Sequence, residues 1–336
     1  MLNRSLFFLL FFTLSLYASW DEYKARFLTE DGRVIDKKNC DISHSEAVGY
    51  AMYLAIKNDD MQSFEKIHTW YQNNLMKNKF GLISWKWGKD KRGEWHVLDK
   101  NNASDGDLWI AYDNLLAYEL TKNEKYKIEA LDLMKNIKEK LLLKNKDHIY
   151  LLPGYYGYDR EEVFEVNLSY YLFFIFDKFF ELDHDPVWKK LKTDGIALLY
   201  SARCTPLHLH ADWIEIEKKS QKISLSKNHM FGYDAIRIPL NILMSDIGIE
   251  NQKKLLQPYK NYIDAMKKMQ TLFGVSDLKK GTISIYNYGY VHLSVYNKID
   301  NYFYKEHSFT EALEKLKRER KDDYYSYSLY LISNTN

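Results

Sequence analysis

Asp105 and Asp107 stand one residue apart in ASDGDLWIAY (103–112), at the front of an apolar run. Glu46 sits in CDISHSEAVGY (40–50) and Asp234 in KNHMFGYDAIRIP (227–239), each just ahead of another apolar stretch. Carboxyl groups delivered to helix starts suit cleavage of a glycosidic bond. That reaction needs one group to protonate the leaving oxygen and a second to attack the sugar or activate water. The C–H faces of sugars also pack on flat rings, and the chain carries 28 Tyr and 8 Trp. The connections LISWKWGKDKRGEWHVLDKNNASDGD (82–107) and LLPGYYGYDREEVFEVNLSYY (151–171) set aromatic residues close to the acids. The same acids also suit plainer work. Asp105 and Asp107 follow Ser104 as capping acids would, Glu46 favours a helix N-terminus, and Asp234 with Arg237 makes an ordinary i, i+3 ion pair.

The elements that must hold these residues read as helices. Five prolines and 14 glycines are sparse for an all-β chain, and apolar residues recur with a period near 3.6. Phe64, Ile67, Tyr71 and Leu75 share one face, as do Ala130, Met134, Ile137 and Leu141, and Tyr259, Tyr262, Met266 and Met269. The pattern predicts helices at 43–57, 60–77, 104–120, 124–142, 167–182, 186–201, 229–244, 256–271, 291–298, 307–319 and 322–333. They alternate between apolar, aromatic helices and amphipathic ones with a single wet face. About six such pairs predict an all-α toroid of inner and outer helices. With no Pro-, Gly- or Ser-rich linker, residues 19–336 read as one domain.

The N-terminus has the form of an export signal. Arg4 precedes LFFLLFFTLSLYA, and small residues follow at Ala18 and Ser19. The apolar run is shorter than the ~20 residues a spanning helix needs. Residues 1–18 are therefore expected to be a signal peptide cleaved near Ala18, with a periplasmic or secreted product and no stable membrane span. The formal net charge is +2 and the one basic run, KLKRERK (315–321), is short. A nucleic-acid partner is not expected, since it would demand a basic stripe. Cys40 and Cys204 make neither a disulfide framework nor a metal pattern. His208 and His210 have zinc-like spacing without a clear third ligand and read as structural.

Taken together, the motifs are similar to those of glycoside hydrolase family 8. ASDGDLWIA (103–111) matches its A-[ST]-D-[AG]-D-x-x-[IM]-A signature. HSEAVGYAM (44–52) resembles the family's HSEGQGYGM, which holds the general acid, and GYDAIRIPL (232–240) resembles the segment with the general base. SWKWG (84–88), WHVLDKNNASDGDLWIAYDNL (95–115) and LLPG (151–154) look like the endoglucanases of bacterial cellulose-synthesis operons. The resemblance spans about residues 20–300. It implies an (α/α)6 barrel hydrolysing β-1,4-linked glycan, with inversion and no cofactor or metal. Glu46 is then the general acid, Asp234 the base and Asp105 a binder of the sugar beside the scissile bond. Trp85 and Tyr233 would stack on or border sugar rings, and Arg237 would hold Asp234 or a neighbouring acid. Asp107, Trp87 and Tyr155 are further candidates for substrate contact. Glu46 would need a raised pKa, whereas Asp234 must stay ionised. The resemblance makes β-glucan the substrate and the cellulose synthase machinery a candidate partner.

The pattern is broken at Ala47 and Val48, where Gly and Gln are usual, and at Ala51. A glycan-binding protein without activity therefore stands as the alternative, beside chitosanase or xylanase activity within the family. A polysaccharide lyase on an α/α toroid fits the SEAVGY, SDGD and YDAIRIP segments less well.

Overall fold

The computed structural model describes residues 19–75, 78–203 and 205–335. The signal-peptide expectation at residues 1–18 lies outside the described residues. So does Cys204, whereas Cys40 is an exposed free thiol.

Twelve helices are present among the described residues: α1 (Trp20–Phe27), α2 (Ser45–Lys57), α3 (Met61–Asn74), α4 (Ser104–Thr121), α5 (Glu124–Leu141), α6 (Phe173–Asp183), α7 (Pro186–Ser201), α8 (Arg237–Met244), α9 (Ile249–Met269), α10 (Tyr290–Tyr304), α11 (Thr310–Glu319) and α12 (Tyr324–Asn334). The even-numbered helices form an inner ring, each touching the next from α2 round to α12 and back to α2. Each packs against an outer helix: α3, α5, α7, α9, α11 and, for α12, α1; α10 also meets α9. This is an (α/α)6 barrel. Burial separates the two layers. Every residue of α2 from Ala47 to Ile56 is buried, whereas outer α5 buries only the stripe Tyr126, Ala130, Leu133, Met134, Ile137 and Leu141. Fully burying one Leu, Ile or Met of such a stripe contributes roughly 1.5–3 kcal/mol.

The two ends of the barrel are built differently. Inner helices run into outer ones through a few residues, often with an Asx cap. Asp60 accepts from Ser63 N, Asn123 from Lys125 N and Asp185 from Val187 N. The returns from outer to inner helices, apart from the short step from α11 to α12, are long and carry small antiparallel sheets. These are β1 (Ser43–His44), β2 (Ser84–Lys89) and β3 (Trp95–Asn102) in order β1-β2-β3, and the hairpin β4 (Leu142–Asn145) with β5 (His148–Leu151). The others are β6 (Val163–Val166), β7 (Ile214–Glu217) and β8 (Ile223–Leu225) in order β6-β7-β8, and β9 (Met230–Phe231), β10 (Ser276–Asp277) and β11 (Thr282–Ile283) in order β11-β10-β9. The chemistry-bearing loops of the sequence lie at this end.

Several boundaries differ from expectation for local reasons. Helix α1 was not expected. It is one short stripe, Trp20, Tyr23 and Phe27, capped by Ser19, and finds its inner partner at the far end of the chain. Helix α9 starts at Ile249 rather than 256 and runs through Pro258. Proline removes one helical N–H, and the Lys254 carbonyl that this N–H would have met instead accepts from Arg203 Nη1 (3.0 Å). Helix α8 starts at Arg237 rather than 229, because 232–236 form a turn held by side chains outside the helix. Residues 168–170 form a 3₁₀ turn ahead of α6. No described helix is long and apolar enough to cross a membrane.

Candidate active site

The N-termini of the inner helices converge on a cleft of about 450 Å³. Glu46 enters from the first turn of α2, Asp105 from the first turn of α4, and Asp234 from the turn before α8. Tyr170 comes from the 3₁₀ turn before α6, and Tyr324 and Tyr325 from the start of α12. Helix N-termini carry partial positive charge and favour carboxylates. Gly106 allows the first two acids to meet: a Cβ there would fall 2.2 Å from Ser45 Oγ and 3.0 Å from Glu46 N.

Arg237 joins the three acids and is buried, 4 % exposed. Its Nη1 donates to Glu46 Oε1 and to Asp105 Oδ2 (3.0 Å), and its Nη2 donates to Asp234 Oδ1 (2.6 Å). Glu46 and Asp234 are thus held on different arms of one guanidinium. The rings of Tyr170 and Tyr325 flank it, with centroids 5.3 and 5.9 Å from its carbon. Tyr50, one turn beyond Glu46 on α2, donates its hydroxyl to Glu46 Oε1 (2.9 Å). Burial disfavours the Arg237 charge, but the surrounding tyrosines and acids more than offset it and raise its pKa well above the ordinary value.

The acids differ in their electrostatics. Burial pushes Glu46 up to about 8, opposed by Arg237 and Tyr50 and assisted by the charges of Asp105 and Asp234. Burial also raises Asp105, against the pull of Arg237. Asp234 is the most accessible of the three, its side chain 30 % exposed. Its Oδ2 accepts from Trp213 Nε1 (3.0 Å). A buried carboxyl with a raised pKa beside a solvent-reached one is the arrangement that separates acid from base work.

Two expected aromatics line the cleft. Trp85 stacks on His44 (centroids 5.7 Å apart, 23° between planes), and His44 stacks in turn on Tyr324. His44 bonds Asp36 Oδ2 (3.1 Å) rather than Glu46. Tyr233 also lines the cleft, with its ring edge-on to His292.

Three expected contacts are corrected, since none of these residues lines the cleft. Asp107 is fully buried and spends both oxygens on the chain, accepting from Ile83 N (2.8 Å) and Asn102 Nδ2 (2.6 Å). It ties down the hairpin that presents Trp85. Trp87 packs on Trp70 and stacks on Trp95, with Arg33 lying over both indoles of that stack. Tyr155 stacks on Phe80 at 3.8 Å between centroids. His210 is buried with its ring nitrogens on Tyr259 Oη and the Leu199 carbonyl, whereas His208 is exposed.

Sequence reasoning missed Tyr50, Tyr170, Asp212, Trp213, Tyr324 and Tyr325. Only Tyr50 carried a local signal, its i, i+4 spacing from Glu46 on one helix face. The others reach the site through tertiary structure.

The chain matches the family model described as glycosyl hydrolases family 8 over residues 9–335. An endoglucanase of Cellulomonas uda is 31% identical over 75% of this chain and 69% of its own. A probable endoglucanase of Novacetimonas hansenii is 30% identical over 93% of this chain and 88% of its own. The crystal structure of endoglucanase Cel10, a family 8 glycosyl hydrolase from Klebsiella pneumoniae, superposes with a TM-score of 0.81 at 29% identity, covering 94% of this chain and 96% of that one.

Proposed function

The chain belongs to glycosyl hydrolase family 8, and on that footing we propose that it is an endo-acting β-1,4-glucanase cleaving β-glucan with inversion. One observation carries the residue roles: three carboxylates from three inner-helix starts meet on one buried arginine at the floor of an aromatic cleft. Glu46, held protonated by burial, gives its proton to the leaving oxygen. Asp234, reached by solvent, takes a proton from the water that attacks the opposite face of the sugar. Asp105 accepts a hydrogen bond from a sugar hydroxyl and holds the ring in a distorted form. Trp85 and Tyr233 pack against sugar faces. Arg237 keeps the acids apart and balances their charge. The endoglucanase relatives support β-1,4-glucan as the substrate.

The departures at Ala47 and Val48 do not favour a binding protein. Both residues are buried and neither lines the cleft, so the carboxylates stand unaltered. We further propose a periplasmic or secreted product cut near Ala18, acting on cellulose or a related glucan alongside its synthesis. The apolar leader and the resemblance to cellulose-operon endoglucanases support this.

Reducing-end release from carboxymethyl cellulose, mixed-linkage glucan, xylan and chitosan tests the assignment. β-Glucan should be cut, and Glu46→Gln should lower turnover roughly 10²–10⁴-fold with the fold intact. A fully active Glu46→Gln protein would sink the acid assignment, and release from xylan or chitosan alone would change the substrate. Intact mass of the exported protein checks the cleavage site.

A further inference from the structure

Asp212 lies in the return that leads into β7, outside the cluster on Arg237, and is 8 % exposed. A single oxygen, Oδ1, accepts the backbone N–H groups of Gly232 (3.1 Å), Asp234 (3.1 Å) and Ala235 (2.7 Å). The Asp212 N–H is itself anchored on the Met230 carbonyl (2.7 Å). The next residue, Trp213, holds the Asp234 side chain through its indole N–H. Two consecutive residues therefore fix the turn 232–235 from both its backbone and its functional carboxylate. Converging amides of this kind form a nest for an anion. The fit is close enough to constrain the sequence: a Cβ at Gly232 would fall 2.4 Å from Asp212 Oδ2.

We infer that Asp212 is a positioning residue for the base, setting where the Asp234 carboxylate meets the attacking water. The inference rests on the reading of Asp234 as base. The turn's own backbone bonds, from Ile236 N to the Gly232 carbonyl (3.1 Å) and from Arg237 N to the Asp234 carbonyl (3.0 Å), leave the N–H groups of Gly232, Asp234 and Ala235 to this acceptor. A misplacement of about 1 Å at a reacting group can cost ~10²-fold in rate. Asp212 does not line the cleft, and Tyr233, the sugar-facing residue of the turn, is held separately by the Tyr325 hydroxyl on its carbonyl and by His292 against its ring, so the loss should fall on catalysis far more than on substrate affinity.

Steady-state kinetics on soluble β-glucan, with folding verified by circular dichroism, tests this. Asp212→Ala should lower kcat about 10²-fold and leave KM within about threefold. Asp212→Asn, which restores an acceptor oxygen, should recover at least tenfold of that loss. Gly232→Ala leaves the carboxylate in place but pushes against it, and should reproduce the kcat-only loss; it also serves as the test if Asp212→Ala does not fold. In an Asp234→Asn background, Asp212→Ala should add no further loss, because a residue acting through the base has nothing left to position. A KM effect in place of a kcat effect, no advantage of Asn over Ala, or full additivity with Asp234→Asn would each overturn the inference. Wild-type turnover by Asp234→Asn alone would instead remove the base assignment beneath it.

Discussion

Two of the three buried acids of helix α4 lead opposite lives. Asp105, at its first turn, is 3 % exposed and shares a guanidinium with two other carboxylates. Asp113, two turns further along, is fully buried, and neither of its oxygens has a hydrogen-bond partner among the described residues. Burial alone drives the pKa of Asp113 well above the ordinary carboxylate value. Asp105 is also raised, but there Arg237 opposes the shift. The same residue type on the same helix is a working group where a cation meets it, and a neutral, polar core residue where none does. A buried charge without a partner protonates rather than remain charged.

The largest break in this contrast comes from removing the cation. Arg237→Met leaves Glu46 and Asp105 without their cation, as Asp113 is, and removes one of the bonds on the solvent-reached Asp234. Activity on β-glucan should drop at least ~10³-fold, since both the charge balance and the spacing of the acids are lost. Stability should fall by about 3–5 kcal/mol, the scale of leaving buried charge uncompensated, as read by denaturant unfolding. A smaller, sharper effect is in the pH profile. Glu46 stands at about 8, so it keeps its proton through neutral pH and loses it as the pH rises past that value. kcat/KM should therefore decline about tenfold per pH unit on the alkaline side; a profile flat to pH 10 would contradict the acid role. The smallest effect belongs to Asp113→Asn, which should leave kcat within about twofold. A carboxyl whose folded pKa is raised is most stabilising below its unfolded pKa and loses that contribution as the pH rises. The variant does not titrate, so its melting temperature should exceed wild type at pH 7 by on the order of a few °C and converge with it near pH 4.

The ring of helix pairs was readable because each outer helix shows one apolar stripe and each inner helix shows several, a purely local pattern. Helix α1 escaped notice because eight residues with one stripe carry little periodicity, and α12, its partner, lies some 300 positions away. Glu46, Asp105, Asp234 and Arg237 were found through their motifs. The i, i+3 spacing reported one arm of the guanidinium, on Asp234; the other, shared by Glu46 and Asp105, was not legible because those acids lie far from Arg237 in the chain. Trp87 and Tyr155 show the converse error. These aromatics lie near an acid in sequence but do not line the cleft; Trp87 has the same strand parity as Trp85, and a register shift between Lys86 and Trp87 breaks the alternation that would have put Trp85 and Trp87 on one face. Asp107 likewise has the composition of a site residue and the job of a tether.

The closure of the ring by its first and last helices has a consequence for synthesis. Ser328 on α12 reaches Tyr23 on α1 across 305 positions, and α12 also brings Tyr324 and Tyr325 to the cleft wall. A ribosome has made every carboxylate and the arginine long before it makes α12. Until that helix emerges, the nascent chain holds apolar flanks of α1, α2 and α10 without a cover, and such unfinished intermediates are prone to aggregate. The final long-range docking is slow because its loop-closure cost falls due before its contacts form. Sealing the barrel and completing the cleft are one event, so a translation product interrupted before residue 324 would be both inert and adhesive, a substrate for quality control rather than a partial enzyme.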